Sequence, residues 1–177
     1  CINKKDNILI YQGKFHEGRG IRFVIECMQK IENIALVLIG DGPMKIQYIK
    51  TAKKYKLEDK IFFIDAVPYK NLSQFSADSY IGISMIQPIS KSYENALPNK
   101  LFEYAAAGIP TICSNLTAMA AMINQYKTGI TISHDNHTEF INAYQKIKST
   151  YADYILNEEK QKEMLWYNNN FHEVINE

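Results

Sequence analysis

Short, almost wholly apolar runs recur along this chain, and they constrain its fold more than any other feature. The runs with the length and composition of strands cover residues 8–11, 35–39, 61–64, 80–85, 111–114 and 129–132. Helical patterns lie between them, at about residues 21–31, 44–55, 72–76, 100–107 and 118–126. Strands that are apolar on both faces and alternate with helices indicate a parallel sheet covered on both sides.

The length of the chain limits the number of domains. A chain of 177 residues, of which 46% are hydrophobic, suffices for one α/β domain with a single core. Because the connections between parallel strands are right-handed, the pattern predicts a doubly wound sheet that binds ligands beyond the carboxyl ends of its strands. We therefore predict one domain over residues 1–177, with a helical tail from about residue 135.

The predicted tail has an apolar pattern of its own. A helix is expected over residues 139–154. Its apolar residues share one face: Phe140, Ala143, Tyr144 and Ile147. A polar stretch, residues 157–163, leads to the apolar groups 164–167 and 171–175. We expect some of these last aromatic residues to form an exposed apolar patch.

Composition excludes several classes of function. The formal net charge of +1 implies no general attraction to nucleic acid or to anionic lipid. No run approaches the roughly 18 apolar residues of a membrane span, and no signal peptide is visible. Cys1, Cys27 and Cys113 have no metal-like spacing, and the last two fall in apolar runs, which is typical of buried thiols. We expect a reducing, cytoplasmic location.

A glycine-rich loop follows the first predicted strand. It reads Q-G-K-F-H-E-G-R-G over residues 12–20 and precedes the first helix. Glycines let a backbone approach a ligand closely. Lys14 and Arg19 lie across a turn from each other, so both side chains could converge on one diphosphate. The loop is neither a Walker nor a dinucleotide fingerprint, and by itself it equally fits a tight turn with two solvated cations.

The most informative single segment covers residues 92–112, S-Y-E-N-A-L-P-N-K-L-F-E-Y-A-A-A-G-I-P-T-I. It predicts a helix that begins near Lys100, is capped by Asn99 and is closed by Gly108. A helix start favours an anion through its N–H groups and its dipole. Glu103, in the first turns, could accept hydrogen bonds from sugar hydroxyls. We interpret this segment and the glycine-rich loop as two halves of a nucleotide-sugar pocket.

Together the two segments resemble the donor-binding domain of retaining glycosyltransferases with two Rossmann-like domains, the GT-B class, and in particular its family four (glycosyltransferase group 1). The first loop of that family reads roughly G-R-x-x-x-x-K-G. Here Gly13-Lys14 and Arg19-Gly20 keep the spacing with the two cations exchanged. The second signature of the family has two glutamates separated by seven residues. Glu103 matches the second glutamate, whereas Asn95 stands at the position of the first.

The resemblance covers nearly the whole chain and implies a Rossmann-like doubly wound parallel sheet flanked by helices. Residues 40–43, G-D-G-P, match a G-x-G-P turn of the family, and residues 61–68 match its strand and base-contacting loop. The sequence P-N-K-L-F-E-Y, residues 98–104, is similar to bacterial members that build surface polysaccharides. GT-B enzymes have a further, N-terminal acceptor domain. The resemblance therefore implies that this chain is the C-terminal, donor-binding part of a longer enzyme.

The resemblance also implies roles for particular residues. Lys14 and Arg19 would bind the donor diphosphate and stabilise the leaving phosphate, which is the catalytic contribution of this domain. Glu103 would hold the ribose hydroxyls. The other donor-binding residues would be Gly13, Gly40 and Gly42 beside the nucleotide, Val67 at the base, Asn95 near the sugar, and the backbone amides of Leu97, Asn99 and Lys100. The Lys100 side chain would either add charge to the phosphate site or lie on the surface.

For the complete enzyme the resemblance implies transfer of a glycosyl group from a UDP- or GDP-sugar, with retention of the anomeric configuration. No metal and no cofactor would be required. The acceptor would be a saccharide or a lipid-linked saccharide, held mainly by the N-terminal domain, and nucleic acid is not an expected partner. A lipid-linked acceptor would bring this cytoplasmic enzyme to the inner face of the membrane.

Two other interpretations remain open on the sequence. A non-catalytic Rossmann-like nucleotide-binding or regulatory domain would keep the fold, and Asn95 in place of a glutamate favours it. A dinucleotide-dependent oxidoreductase domain would need G-x-G-x-x-G after the first strand and an acidic residue at the end of the second. Residues 13–20 carry cations in the corresponding loop instead.

Overall fold

The computed structural model describes residues 8–164, and one parallel sheet forms the centre of this part of the chain. Its strands are β1 Ile8–Gln12, β2 Ala35–Ile39, β3 Ile61–Ile64, β4 Ile81–Ser84, β5 Thr111–Ser114 and β6 Gly129–Ile132. The strand order is β3-β2-β1-β4-β5-β6, so the direction of winding reverses between β1 and β4. This is the order of a doubly wound Rossmann-like sheet, and the predicted fold class is confirmed.

Helices connect the strands and cover both faces of the sheet. They are α1 Ile21–Cys27, α2 Lys45–Lys54, α3 Tyr69–Ala77, α4 Lys91–Glu94, α5 Lys100–Ala106, α6 Thr117–Tyr126 and α7 His137–Ser149. Short 3₁₀ segments, Met28–Lys30 and Tyr151–Tyr154, follow α1 and α7. Residues 158–164 form a further helical stretch. Within residues 8–164, no helix has the length and apolar character that crossing a bilayer requires.

The core explains why the strand sequences do not alternate between apolar and polar residues. Leu9 and Leu36 pack into one cluster with residues of α1 and α7. Ile10 and Val37, the next residue along each strand, pack on the opposite face with Tyr104 of α5. Because both faces of the central strands are covered, both sets of side chains must be apolar.

Several element ends differ from the sequence predictions. The helix predicted over residues 21–31 is α-helical only to Cys27 and continues as a 3₁₀ segment. The helix predicted over residues 72–76 already begins at Tyr69, directly after Pro68, which stands at the capping position with extended backbone (φ −54°, ψ 139°). Propensity patterns locate element centres better than element ends, where local geometry decides.

The tail also departs from its prediction in part. The helix predicted over residues 139–154 begins at His137, ends at Ser149 and is followed by 3₁₀ geometry. Met164, the first apolar residue of the groups that end the tail, is 1% exposed and packs against the cluster containing Phe102 and Met119. The aromatic residues for which we predict an exposed patch lie outside the described residues.

Tyr104 links α5 to the middle of the sheet. Its hydroxyl accepts a hydrogen bond from the backbone N–H of Gln12 at 3.3 Å. The same hydroxyl lies 3.3 Å from the carbonyl oxygen of Ile10 and 3.4 Å from that of Ile83, to which it donates. These carbonyls belong to β1 and β4, the two strands between which the sheet reverses its winding. The Tyr104 ring lies so close to Gly82 that a β-carbon there would overlap the ring.

We expect Gly82→Ala to lower the free energy of unfolding by about 1–3 kcal/mol, because the new methyl group must displace the Tyr104 ring. Urea denaturation of the two proteins measures this loss. The same substitution in a Tyr104→Leu background should cost clearly less, because the ring is absent. Equal costs in the two backgrounds would show that the ring contact is not the cause.

Candidate functional site

The glycine-rich loop lies directly on the turn that follows β2. The backbone N–H of Gly13 donates to Ile39 at 2.9 Å, and the N–H of Phe15 donates to Asp41 at 2.9 Å. A β-carbon on Gly40 would overlap the carbonyl oxygen of Gly13, and one on Gly42 would lie 2.5 Å from that of Phe15. Gly40 and Gly42 are therefore required for the contact between the two loops, at the carboxyl ends of β1 and β2.

A small cavity opens where these two loops meet the loop after β3. Its volume is about 170 Å³. Four of the residues predicted to bind the donor line it: Gly13, Lys14, Gly40 and Val67. The aliphatic side chains of Ile39 and Leu72 complete much of the wall, so the cavity, here called the rim cavity, is largely apolar. The structure thus brings together residues that are distant in the sequence.

The loop after β3 is held beside the rim cavity by an ion pair. The Lys45 ammonium group donates to the carboxylate of Asp65, the first residue of this loop. The hydrogen bond from Lys45, together with its charge, lowers the pKa of the Asp65 carboxyl group. Neither side chain lines the rim cavity, and the pair joins α2 to the loop that carries Val67.

A larger cavity, of about 570 Å³, lies between α3 and α5 and is here called the helix cavity. Gln12, Tyr69, Leu72 and Glu103 are among its lining residues. Leu72 also lines the rim cavity, so the two cavities are neighbours. The charge of Glu103 and its hydrogen bond to the phenol, together with partial burial, raise the pKa of Tyr69. The half-buried Glu103 carboxylate thus faces a space large enough for a sugar ring.

Two cations occupy this region: Lys100 is buried beside the glycine-rich loop, and Arg19, within the loop, is partly buried. The Lys100 ammonium nitrogen lies 3.8 Å from the centroid of the Tyr11 ring, and the residue is only 9% exposed. The guanidinium carbon of Arg19 lies 5.0 Å from the centroid of the Tyr93 ring. Burial, and to a smaller extent the charge of Arg19, lowers the pKa of Lys100 to about 7, against an opposing effect of Glu103. Of the two alternatives for the Lys100 side chain, the surface position is therefore excluded.

These cations are not neutralised within the described part of the chain. Among residues 8–164, neither Arg19 nor Lys100 forms an ion pair with a carboxylate. The Nε atom of Arg19 is buried without a hydrogen-bond partner there. A buried charge without a partner is costly, and a buried polar atom without one is rare in folded proteins. The arrangement favours an anion that would bind both groups.

Other predicted site residues lie apart from these cavities. Asn95 is exposed, and its side-chain amide donates to the carbonyl oxygen of Lys91 at 3.3 Å. Leu97 packs against the cluster that contains Phe102. Asn99 occupies the position before α5, but its side chain makes no capping hydrogen bond. The predicted cap is wrong because the Asn99 backbone is already helical (φ −51°, ψ −31°), whereas a capping residue needs extended backbone.

Sequence reasoning missed several residues that shape the site. Gln12 is 2% exposed and donates to the Glu103 carboxylate, whereas Tyr93 and Tyr11 lie against the two cations. The tyrosines are scattered along the chain, a distribution typical of ordinary packing. Gln12 did carry a signal, because it is a polar residue that ends an otherwise apolar strand just before the glycine-rich loop. Within residues 8–164, no three His, Cys, Asp or Glu side chains gather as metal ligands would.

Comparison with known proteins supports the same family that the motifs resemble. The family model described as glycosyl transferases group 1 matches residues 1–166. Among curated proteins, the lipopolysaccharide core biosynthesis glycosyltransferase LpsD of Rhizobium meliloti (strain 1021) is 29% identical over 107 residues. That match covers 60% of this chain and 29% of LpsD.

Two solved structures share the fold. WaaG, a glycosyltransferase involved in lipopolysaccharide biosynthesis, superposes with a TM-score of 0.73 at 16% identity, over 95% of this chain and 44% of that one. A mutant of S. aureus TarM, in complex with fondaparinux, alpha-GlcNAc-glycerol and UDP, superposes with a TM-score of 0.78 at 12% identity, over 98% of this chain and 35% of that one. The chain thus spans less than half of each of these proteins.

The structural likeness confirms the fold of a GT-B C-terminal domain, with its six-stranded parallel sheet between helices. The family match extends from the glycine-rich loop through the segment that carries Glu103 and into the tail. It therefore includes both segments from which the site is built. On this basis the chain belongs to the family of glycosyl transferases group 1.

Proposed function

We propose that this chain is the donor-binding domain of a glycosyltransferase that uses a nucleotide-diphosphate sugar. The observation that carries the proposal is the pair of cations, Arg19 and Lys100, which have no carboxylate partner among residues 8–164. A diphosphate would supply the missing negative charge. Arg19 would offer its forked donors to the phosphate oxygens, and Lys100 would add a point charge. Lys14, exposed at the rim cavity, would contact the diphosphate from outside.

Each of the two neighbouring cavities would bind one part of the nucleotide. The rim cavity would hold the base, because glycine backbone at Gly13 and Gly40 lets a flat ring approach and Val67 offers backbone groups. The helix cavity would hold the ribose, whose hydroxyls would donate to Glu103. Leu72 lines both cavities and would contact the nucleoside where base and ribose join. The presence of UDP in the TarM complex supports a nucleotide of this kind.

The proposed chemistry is electrostatic. As the bond between the sugar and the phosphate oxygen breaks, negative charge develops on the leaving diphosphate, and Arg19 and Lys14 would stabilise it. No side chain of this domain needs to act as a nucleophile if the acceptor attacks from the face of the leaving group, which retains the anomeric configuration. Such a transfer needs no metal ion and no cofactor.

The rest of the proposal concerns the complete enzyme. An N-terminal domain would hold the acceptor, which would be a saccharide or a lipid-linked saccharide in the synthesis of a bacterial surface polysaccharide. The role of LpsD and of WaaG in lipopolysaccharide biosynthesis supports that class. The enzyme would be cytoplasmic, and a lipid-linked acceptor would bring it to the inner face of the membrane.

A second candidate function is a binding or regulatory domain without catalysis. One observation favours it: Asn95 stands where the family has a glutamate, and its side chain is exposed and hydrogen-bonded within its own short helix region. Transfer by the complete enzyme separates the two functions. Catalytic transfer that is lost in Arg19→Ala would support the glycosyltransferase, whereas transfer that survives the substitution unchanged would remove Arg19 from the mechanism.

Arg19→Ala should weaken the binding of nucleoside diphosphate to this chain by about 10- to 100-fold, the range for losing hydrogen bonds to a charged group. A thermal-shift panel with UDP, GDP, ADP, CDP and NADH, without divalent metal, identifies the ligand. Calorimetric titration then measures the affinity. Arg22→Ala is the matched control, because Arg22 is exposed on α1 and pairs with Glu26. Equal weakening in the two variants would point to general charge rather than to a phosphate contact.

Binding of a diphosphate should be coupled to protonation of Lys100. With a pKa of about 7, this side chain is mostly neutral at pH 8.5, and a bound anion would favour its charged form. The chain should therefore take up most of one proton per nucleotide at that pH, and affinity should fall as the pH rises above 7. Titration calorimetry in two buffers of different ionisation enthalpy measures the uptake.

Lys100→Met is the control for this proton uptake, because methionine has a similar length and cannot bind a proton. The variant should bind the nucleotide more weakly at pH 7 and should lose the proton uptake at pH 8.5. Any protonation of the nucleotide itself persists in the variant and can be subtracted. Undiminished uptake in Lys100→Met would exclude Lys100 as its source.

A further inference from the structure

The last residue of β1 connects three elements through its side chain. Gln12 is 2% exposed, and its side-chain Nε2 atom donates to the Oε2 atom of Glu103 on α5. Its Oε1 atom accepts a hydrogen bond of 2.9 Å from the hydroxyl of Ser76 on α3. Ser76 is fully buried. The side chain of Gln12 therefore links β1 to α3 and to α5 at the inner end of the helix cavity.

The chemistry of the partners fixes which way the amide faces. A carboxylate only accepts hydrogen bonds, so the NH₂ group of Gln12 must face Glu103. The hydroxyl of Ser76 can rotate and therefore donates to the amide oxygen. Reversing the amide would place two acceptors, the amide oxygen and the carboxylate, against each other. Ser76 and Glu103 together thus allow a single orientation of Gln12.

This orientation has a consequence for Glu103. Its side chain has three rotatable bonds and lies half-buried on a short helix, so by itself it would sample several directions. Since Gln12 holds one carboxylate oxygen at the inner end of the cavity, the other oxygen must face outward. Tyr69, at the outer end, also interacts with this carboxylate. The carboxylate is thus held in position before any sugar reaches it.

The backbone of Gln12 does not depend on this side chain. Its N–H donates to the Tyr104 hydroxyl, and its strand pairs with β2 opposite Ile39. An apolar side chain of similar size would satisfy the packing at this point. The buried amide is therefore explained by what it holds, namely the Glu103 carboxylate.

We propose that Gln12, oriented by Ser76, is a positioning residue that presets the Glu103 carboxylate for the ribose hydroxyls of the donor nucleotide. The inference rests on the proposed function, because it needs Glu103 to bind the ribose. Gln12 would contribute to recognition of the ribose and would not contribute to binding of the diphosphate or the base.

The test compares two ligands that differ only at the ribose. UDP and 2′,3′-dideoxy-UDP, or the GDP pair if guanine is the preferred base, are titrated into the chain and into its variants. The chain itself should prefer UDP by about tenfold or more, the value of hydrogen bonds to a charged group. Gln12→Met should reduce that preference to about threefold or less, with the affinity for the dideoxy nucleotide changed by less than about twofold.

Two further variants separate positioning from general damage. Glu103→Ala should abolish the preference, and adding Gln12→Met to it should change nothing more, because Gln12 acts through Glu103. Ser76→Ala leaves Gln12 in place but removes the hydrogen bond that holds its amide oxygen, so the Gln12 side chain is less restrained and the preference should fall partially. This variant also provides a test if Gln12→Met fails to fold.

The possible failures are distinguishable. A full preference for UDP in Gln12→Met, or in Ser76→Ala if Gln12→Met does not fold, would overturn the inference and leave the proposed function intact. Equal weakening of both nucleotides in these variants would assign Gln12 a purely structural role and also overturn it. If Glu103→Ala keeps the preference, or if the chain binds neither nucleotide, the proposed ribose site itself is wrong and the inference fails with it.

Discussion

The arrangement of the site depends on how Tyr104 holds α5 against the centre of the sheet. Its hydroxyl bridges β1 and β4 at the point where the winding reverses, and its ring lies directly against Gly82. Lys100 and Glu103 are on the same helix, within the turn before Tyr104. The contact therefore fixes the positions of the Lys100 ammonium group and the Glu103 carboxylate relative to the end of β1. It acts together with the hydrogen bond from Gln12 to Glu103 and the contact of Lys100 with Tyr11, which also join α5 to β1.

A second constraint acts between the loops themselves. The glycine-rich loop continues the hydrogen bonding of β1 with β2 beyond the end of the sheet, and this is possible only because residue 40 has no β-carbon. The loop backbone is thus held by main-chain bonds before any ligand binds. Its side chains, Lys14 and Arg19, remain available, and they occupy different surroundings: one exposed at the rim, the other partly buried against Tyr93. Preorganised backbone and available charge are what a phosphate site requires.

The sequence predicted the fold well and the site in part. Apolar runs without alternation identified each strand, because the strands of a sheet covered on both faces are apolar at nearly every position. Spacing placed Gly13, Lys14, Gly40 and Val67 on loops that do converge. Burial of Lys100 and the hydrogen bond from Gln12 to Glu103 could not be predicted, because they arise from contacts between residues about ninety positions apart. The prediction that Asn99 caps α5 is wrong because asparagine is a common capping residue, whereas the backbone angles of Asn99 are helical and do not permit that role.

If the donor binds at Arg19 and Lys100 as proposed, the stability of the domain would depend on the supply of donor. Burying cationic groups without a carboxylate partner lowers the free energy of unfolding, and a ligand that binds only the folded form raises it again by mass action. When donor is abundant, the chain would be held folded by the molecule it consumes. When donor is scarce, a larger fraction would unfold and become available to proteases. The amount of this domain in a cell would then rise and fall with the concentration of its nucleotide sugar. Ligand binding at Arg19 and Lys100 would be sufficient for this dependence, without a separate regulatory protein.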